Sequence, residues 1–572
     1  MNIFADVHTK ICAAIASLQR DGHLPDTLDV AAVTAEPPKD PAYGDVTTNA
    51  ALVIAPQDGR RAREIAQLLV PRLTDDQGVV SVDVAGPGFI NLHLDPARWA
   101  PVLAAILEEG EAFGRSALGA GKKANVEFVS AYPTSPLTAA YTRGAVYGDA
   151  LANLLGFVGY DVTREYYVND GGAQVDVLAR SVYLRYLEAH GRDVAFEDGT
   201  LPGDYLVPVG AALKAKVGDI YLDQSEAVWL APVCAFAIDA MMARIREDLD
   251  ALGIRMDLYF SEKSLDDAGR IEAALADLEA KGLIYEGVLD PPQGQSAERP
   301  ERREQTLFRS TAHGDEADRP IRTADGGWTY FAPDIAYHFD KIDRGYDALY
   351  DVFGSDHGAY VRRVKAVVSA LSNGRVPVEI KLVQLVRLAD KGIPVRRAGG
   401  FVTLRDVVDR LGPDVTRFAM LSRKNDAALD LDLDAVLDQS RDNPVFAVQY
   451  AHVRALGIVE RAERIAEPRP GDVAVLRGGA EWALVQKLAG WPRLVDIAAR
   501  TAEPHRMAMY LTDLADLFHK AWPSGSNVPE VWLTEGADTP ETWAKIDLAR
   551  AVSIVISAGL GILGVNPARQ MR

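Results

Sequence analysis

Carboxylate and hydroxyl side chains accompany an apolar strand pattern in the first third of the chain. Val126, Phe128 and Val129 predict a buried strand, and Glu127 lies within it. A turn rich in Pro, Thr and Ser follows, and Thr138 stands where a long helical pattern begins. Open parallel sheets bind ligands at such strand-to-helix turns, so we expect a ligand site here.

The elements around this turn predict a βαβ unit. The helical pattern runs from Leu137 to Leu155, and a second strand is expected from Val162 to Val168. The crossover between the two strands should be right-handed. No G-x-G-x-x-G opens the helix and no G-x-x-x-x-G-K-[ST] occurs in the chain. Ordinary dinucleotide binding is therefore disfavoured, and a P-loop is excluded.

The stretch resembles the catalytic core of arginyl-tRNA synthetases, class I enzymes that activate arginine with ATP and pass it to tRNA. That family carries V-E-[FY]-x-S, N-P-T-x-P, H-x-G-H and R-G in this order. The chain has Tyr132 where the family has Asn. The positions that match the family are Glu127, Ser130, Pro133, Thr134, Pro136, Arg143 and Gly144.

The first departure from the family is at its His-x-Gly-His motif, where the chain has Thr138, Ala140 and Tyr141. In the family the two imidazoles stabilise charge on the ATP phosphates. Losing one preorganised donor of this kind costs on the order of 10² to 10³ in rate. We therefore expect Thr138 and Tyr141 at the ATP site, with activation impaired.

The second departure is at the family's lysine loop, which reads P-V-K-M-S-K-R-A-G-N. The chain reads P-V-R-R-A-G-G, with Arg396 and Arg397 in a shorter segment. A guanidinium fork does not replace a mobile ammonium, so these arginines are interpreted as a solvated turn rather than secure phosphate ligands. With Thr138, Ala140 and Tyr141, they are degenerate positions, and no catalytic residue is secure.

A third, milder departure lies at Gly354–Tyr360, which keeps one of the family's two histidines. Asp356 and His357 are expected to contact ATP, although His357 could equally be a core histidine. The resemblance implies ATP and magnesium as cofactors, with doubtful binding here. Cys12 and Cys234 have no partners at metal-ligand spacing, so no protein metal site is predicted.

The arginine side of the resemblance is better preserved. Paired carboxylates suit a guanidinium because charge-assisted, bidentate bonds reject substrates that lack the fork. Glu127 could instead be a surface carboxylate, and Tyr330 with Asp334 could be a helix face and its cap. The implied arginine-binding residues are Glu127, Ser130, Tyr132, Tyr330, Asp334 and Tyr337.

Beyond about residue 410 the pattern becomes helical with little strand signal, and it includes the segment Ser422–Asp434. It resembles the family's anticodon-binding domain, and aromatic planes with nearby donors suit unstacked RNA bases. The predicted tRNA-binding residues are Asn49, Gln449, Tyr450, His452, Arg454, His505, Arg506 and Trp522.

The resemblance spans nearly all 572 residues and predicts three domains of mixed α/β plus all-α class. They are an N-terminal α/β domain (1–115), a Rossmann-type catalytic domain with an insertion (116–410), and a helical anticodon-binding domain (411–572). An exposed hairpin or mobile loop is expected around 290–318. The net charge is −20, but the chain could still carry a basic face that binds RNA. The distribution of the charges, not their sum, decides binding.

The expected partners are tRNA-Arg and L-arginine, and the family's habit suggests a monomer. A cytoplasmic protein without a membrane partner is expected, because there is no signal peptide and the apolar stretch Ala551–Leu563 is too short to span a bilayer.

Three functions stay open at this point, and so does the question whether the chain is an enzyme. The favoured hypothesis is a homologue with activation impaired or lost, a pseudoenzyme candidate that keeps arginine and tRNA binding. The alternatives are a working arginine-tRNA ligase that uses substitute groups such as Thr138, His357 and Arg396, and a protein that uses arginyl-tRNA without ATP.

Overall fold

The computed structural model describes residues 1–288, 304–323, 326–389, 402–440, 443–469, 471–476, 479–523 and 539–571. The first elements form an antiparallel sheet in the order β1-β2-β4-β3, covered by helices. They are α1 (Ile3–Arg20), β1 (Ala35–Glu36), β2 (Val46–Thr48), α2 (Ala50–Asp58), α3 (Ala62–Thr74), β3 (Val79–Ala85), β4 (Phe89–Leu94) and α4 (Ala100–Glu109).

The middle of the chain forms an α/β unit. Its elements are β5 (Lys123–Glu127), α5 (Ala139–Phe157), β6 (Asp161–Val168), α6 (Ala173–Ala189), α7 (Val207–Val217), α8 (Glu226–Ala251), β7 (Leu258–Ser261), α9 (Lys263–Asp267), α10 (Arg270–Ala280), β8 (Ile284–Gly287), β9 (Gln305–Phe308), β10 (Arg319–Pro320), α11 (Phe331–Asp343), β11 (Ala348–Gly354), α12 (Val361–Ser372), β12 (Val378–Val383) and β13 (Val386–Ala389). The predicted βαβ unit is present as β5, α5 and β6.

Five of these strands form a parallel sheet in the order β12-β11-β5-β6-β7. The strand order reverses between β5 and β11. The connection after β5 leads to one side of the sheet, and the connection after β11 leads to the other side. In open α/β sheets the crevice at the carboxyl ends of such strands is the ligand site. The topology therefore points to the residues that follow Glu127 and Gly354.

The insertion predicted around 290–318 lies only partly within the described residues, since 289–303 fall outside them. Its flanks are strands: β8 and β10 each pair antiparallel with β9, which gives a small three-stranded sheet.

The last part of the chain is mainly helical, as predicted. Its elements are α13 (Leu404–Leu411), α14 (Pro413–Met420), β14 (Leu429–Asp432), α15 (Pro444–Ile465), α16 (Gly479–Ala489), α17 (Trp491–Arg500), α18 (His505–Ala521) and α19 (Pro540–Leu563). The expectation of little strand here was wrong for Ser422–Asp434. Leu429 and Leu431 are buried at a period of two, and β14 pairs in parallel with β13.

One apolar core connects all three regions, and it includes Trp99, Leu151 and Trp543. The helix α19 crosses this core, where 78% of its most apolar window is buried. Its 24 residues make it long enough to span a bilayer, so the length argument from Ala551–Leu563 was wrong. The 26-residue α8 is also long and apolar enough to span a bilayer, and 33% of its most apolar stretch is buried. The absence of a membrane partner stays a prediction.

Candidate active site in the cleft between β5 and β11

The chain turns sharply where it leaves β5. Val129 and Ser130 have φ values of 71° and 39°, in the left-handed region that residues with a Cβ seldom adopt. Two groups from the neighbouring strand hold this turn: the Tyr167 amide donates to Ser130 Oγ at 3.1 Å, and Asn169 Nδ2 donates to the Ser130 carbonyl at 2.9 Å. Such backbone outliers cluster at ligand sites, which agrees with the topology.

Glu127 lies in a buried ionic network rather than on the surface. Its Oε2 accepts from Lys341 Nζ at 2.7 Å, and its Oε1 accepts from Ser130 Oγ at 3.0 Å. The fully buried Lys341 also donates to Asp351 Oδ1 at 2.9 Å, and His338 Nε2 lies 3.2 Å from Asp351 Oδ2. Burial alone would raise the pKa of Asp351, but the Lys341 charge and the His338 hydrogen bond hold it well below its usual value.

A second network fixes Tyr337, which the sequence predicted at the arginine site. The Tyr337 hydroxyl donates to Glu165 Oε1 at 2.8 Å, and Asn125 Nδ2 donates to Glu165 Oε2 at 2.6 Å. Arg344 forms two further bonds with the same carboxylate, at 2.7 and 2.9 Å. These bonds outweigh burial and lower the pKa of Glu165. The Tyr337 hydroxyl is therefore held by Glu165, and its buried ring packs against Tyr167 with the ring centres 4.5 Å apart.

Asp334 and Glu262 form an acidic group on the same side of the cleft as Glu127. Asp334 is in the first turn of α11 and accepts from the Tyr360 hydroxyl. Burial raises the pKa of Asp334 to about 6. Burial, and then the charges of Asp334 and Asp170, raise the pKa of Glu262 to about 7. Carboxylates that are this reluctant to ionise would gain from a cationic ligand.

Glu262 was missed by the sequence analysis. It follows β7 directly, at the same carboxyl edge of the parallel sheet as Glu127. The available signal was a carboxylate directly after a strand, but β7 is a four-residue strand with only partly buried residues and no distinctive pattern.

Two predicted arginine-site tyrosines are exposed. Tyr132 is 51% exposed, and burial followed by the charges of Glu262 and Asp334 raises the pKa of its phenol. Tyr330 is the N-cap of α11, is 70% exposed, and accepts from Arg363 at 2.7 Å. Tyr132 therefore lies close enough to feel the acidic group, while Tyr330 is at the rim.

The amino end of α5 adjoins a cavity of about 430 Å³. Tyr141, which is 38% exposed, reaches the cavity, and the Thr138 hydroxyl caps none of the described amides. Burial and the charge of Asp356 raise the pKa of the Tyr141 phenol, so it stays a hydrogen-bond donor. The described residues that line the cavity are Ala131, Tyr132, Thr134, Ser135, Pro136, Leu137, Tyr141 and Gln174, with no imidazole among them.

Asp356 and the residues Val402 and Thr403 lie near the same end of α5. Thr138 pairs with Thr403 in an antiparallel bridge, and the Ala139 amide donates to the Val402 carbonyl at 2.9 Å. Arg396 and Arg397 lie outside the described residues. His357 is 61% exposed beside Asp356, so the alternative of a core histidine was wrong.

Magnesium has no evident protein cage here, because the described residues contain no group of three or more His, Cys, Asp or Glu that could hold a metal. Mg²⁺ commonly takes one or two carboxylates plus substrate phosphates, so a group of three protein ligands is not required for it.

The residues predicted to bind tRNA fall into separate groups. Gln449 and His452 contact the C-terminal tail: Gln449 Oε1 accepts from the Ala568 amide at 2.7 Å, and His452 Nδ1 lies 2.9 Å from the Ala568 carbonyl. Arg454 NH2 donates to the Trp522 carbonyl at 2.7 Å, and its guanidinium stacks 5.7 Å from the Tyr450 ring centre.

The remaining tRNA candidates lie elsewhere. His505 and Arg506 begin α18, about 24 Å from Trp522 by the helical rise. His505 is buried, and burial lowers its pKa to about 4, whereas Arg506 donates to Glu503. Asn49 holds a loop, since its Oδ1 accepts from the Thr34 amide at 2.8 Å and its Nδ2 donates to the Ala32 carbonyl at 3.0 Å.

Comparison with known proteins decides the family. An arginine–tRNA ligase of Roseobacter denitrificans is 57% identical over 581 aligned residues, which cover 100% of both chains. The chain belongs to the arginyl-tRNA synthetase family. A second arginine–tRNA ligase, from Ruegeria pomeroyi, is 58% identical with the same full coverage.

Three models of arginyl-tRNA synthetase modules match in the expected order. The arginyl tRNA synthetase N terminal domain matches residues 5–94, the class I (R) catalytic domain matches 102–196, and the DALR anticodon binding domain matches 448–571. Arginyl-tRNA synthetase from Thermus thermophilus shares the fold with a TM-score of 0.72 at 19% identity, covering 99% of this chain and all of that one. The predicted family and fold class are confirmed, while the exact domain boundaries stay predictions.

Proposed function

We propose that this chain is an arginine–tRNA ligase, which activates L-arginine with ATP and transfers it to tRNA-Arg. The observation that carries the proposal is full-length identity of 57–58% to arginine–tRNA ligases. This favours the working-ligase alternative over the impaired homologue that the motif losses suggested.

Arginine would bind on the acidic side of the cleft. Asp334 and Glu262 have no described cationic side chain in an ion pair with them, so they can pair with a guanidinium, and the cation would stabilise their ionised forms. Glu127 already pairs with Lys341 and accepts from Ser130, so its role is to shape this wall.

ATP would bind at the amino end of α5, where the positive end of the helix dipole favours phosphate. Bound ATP supplies the phosphoryl centre that the arginine carboxylate attacks. In place of the family's imidazoles, the hydroxyls of Thr138 and Tyr141 would donate hydrogen bonds to the phosphates, and the exposed His357 would add a further hydrogen-bonding group. Hydroxyls are weaker partners for a phosphate than cationic groups, so activation is expected to be slow.

Transfer of labelled arginine to a tRNA-Arg transcript tests this proposal. Charging should require both ATP and arginine and should scale with enzyme concentration. The matched control is Asp334→Asn, which keeps the side-chain volume and removes the charge. Wild-type charging no greater than that of Asp334→Asn, even at micromolar enzyme, would overturn the proposal.

A second candidate function is an arginine- and tRNA-binding protein without activation. The observation that favours it is the cavity at α5, which the phenols of Tyr132 and Tyr141 line. It predicts that arginine and tRNA-Arg bind while arginine-dependent turnover of ATP is absent, with tRNA present in the assay.

A further inference from the structure

Helices α6, α7 and α8, which follow β6, pack together as a helical module with an apolar core of its own. This core includes Leu178, Leu206 and Val233. Leu206 ends a short 3₁₀ turn, Asp204–Leu206, that leads directly into α7. Because Leu206 is fully buried in the core, the turn is held at a fixed place on the module.

Tyr205 stands in the middle of this turn, and its ring covers Gly203. A Cβ atom on Gly203 would lie 2.1 Å from the ring, so no larger residue fits under it. The Tyr205 hydroxyl donates to the Thr134 carbonyl at 2.8 Å. Burial raises the pKa of this phenol, so the hydroxyl keeps its proton and stays a donor. Tyr205 therefore joins the helical module to the segment between β5 and α5.

That segment, residues 131–137, is called the cavity loop below and supplies six of the eight described residues that line the cavity. The carbonyls at its two ends, of Ala131 and Leu137, accept from groups on β6 and at the start of α13, each at 2.8 Å. Between them, two of the five residues are prolines, which have no N–H to donate. Among the described residues, Tyr205 provides the only hydrogen bond that reaches this middle part from outside the loop. The position of the cavity wall therefore depends on this bond.

We propose that Tyr205 is a positioning residue for ATP, because its hydroxyl fixes the middle of the cavity loop beside the amino end of α5. Tyr205 is not among the described residues that line the cavity, so it acts through Thr134, which is. Without the hydroxyl, the loop takes up other conformations, and the fraction of molecules with a binding-competent cavity falls. The proposal rests on the proposed function in taking ATP as the occupant of the cavity.

The test measures nucleotide affinity without turnover. The probe is α,β-methylene-ATP with magnesium, which cannot be cleaved between its α- and β-phosphates, and titration calorimetry gives its dissociation constant for the full chain. In Tyr205→Phe this constant should rise about fivefold, the usual net contribution of one neutral hydrogen bond. The dissociation constant for arginine should stay within about twofold, because Asp334 and Glu262 lie on other elements. In charging of tRNA-Arg, KM for ATP should rise about fivefold while kcat stays within about twofold.

The matched control is Tyr183→Phe. Tyr183 lies in the same helical module, and its partly buried hydroxyl donates to the Tyr221 carbonyl at 2.9 Å, within the module. This variant should lower the melting temperature about as much as Tyr205→Phe and leave nucleotide affinity unchanged. If Tyr205→Phe does not fold, Gly203→Ala takes its place: the added Cβ displaces the ring and its hydroxyl, and nucleotide binding should weaken to a similar degree.

Unchanged nucleotide affinity in Tyr205→Phe, or an equal loss in Tyr183→Phe, would overturn the proposal. A loss of arginine affinity as large as the loss for the nucleotide would also overturn it, since the substitution would then disturb the whole cleft. A wild-type chain that does not bind α,β-methylene-ATP would contradict both this proposal and the proposed function. A wild-type chain that binds it but charges no tRNA would remove the proposed function alone, and the affinity comparison would still decide the role of Tyr205.

Discussion

The two sides of the cleft differ in how many of their side chains are buried and hydrogen-bonded to other protein groups. On the side proposed to bind arginine, called the arginine side below, Glu127, Asp351 and Glu165 each accept hydrogen bonds from Lys341 or Arg344. On the side proposed to bind the nucleotide, called the nucleotide side below, the side chains of Tyr141 and His357 are substantially exposed. Both sides are built at the edge of the same sheet.

This difference in burial predicts which substitutions the fold tolerates. A change in the buried network would leave an ion without its partner, and that is costly in a low-dielectric interior. A change at the first turn of α5 alters groups that face solvent or a ligand, so the fold survives it. The family fold and altered nucleotide motifs are therefore compatible in one chain.

The largest expected effect comes from breaking the arginine side at Lys341. Lys341→Met leaves Glu127 and Asp351 buried without their cation, so the free energy of unfolding should fall by about 3–5 kcal/mol. Urea unfolding followed by tryptophan fluorescence measures it. The matched control is Lys365→Met, which breaks a half-exposed pair with Glu379 and should change the stability by about 1 kcal/mol or less. Equal losses in the two variants would contradict the description of the network.

The next effect concerns ligand affinity. Asp334→Asn removes the carboxylate expected to hold the guanidinium, so arginine affinity should fall by about 100-fold or more, as for other desolvated charge pairs. Titration calorimetry with arginine measures the change. Asp356→Asn, on the nucleotide side, should leave arginine affinity unchanged. A similar loss in both variants would mean that the two sides are not separable.

A smaller effect should appear in the pH dependence of arginine binding. The pKa of Glu262 is raised to about 7 and that of Asp334 to about 6, and the guanidinium favours the ionised forms. Binding then releases protons, so affinity should rise with pH, by about twentyfold between pH 6 and pH 8. In Glu262→Gln only Asp334 still titrates, and the rise should shrink to about twofold. A flat wild-type profile would exclude this acidic group as the arginine site.

Sequence reasoning identified the family and the βαβ unit because both depend on local pattern, whereas the role of Glu127 stays a prediction. It missed Lys341 and Glu262, since the partners of Lys341 lie on β5 and β11 and only the fold brings them together. Similarly, the leucines of β14 indicate a strand only when β13 is known to pair with it. The role of Tyr337 at the arginine site stays a prediction, and the direction of its hydroxyl follows from Glu165, which only the fold brings near it.

The most direct test of the contrast is to restore the family's residues on the nucleotide side alone. The triple variant Thr138→His, Ala140→Gly and Tyr141→His should raise kcat for charging of tRNA-Arg by roughly 10² to 10³, the usual value of a preorganised donor. The dissociation constant for arginine should stay within about twofold, because the arginine side is already complete. An unchanged kcat, or a change in arginine affinity as large as the change in rate, would contradict the account.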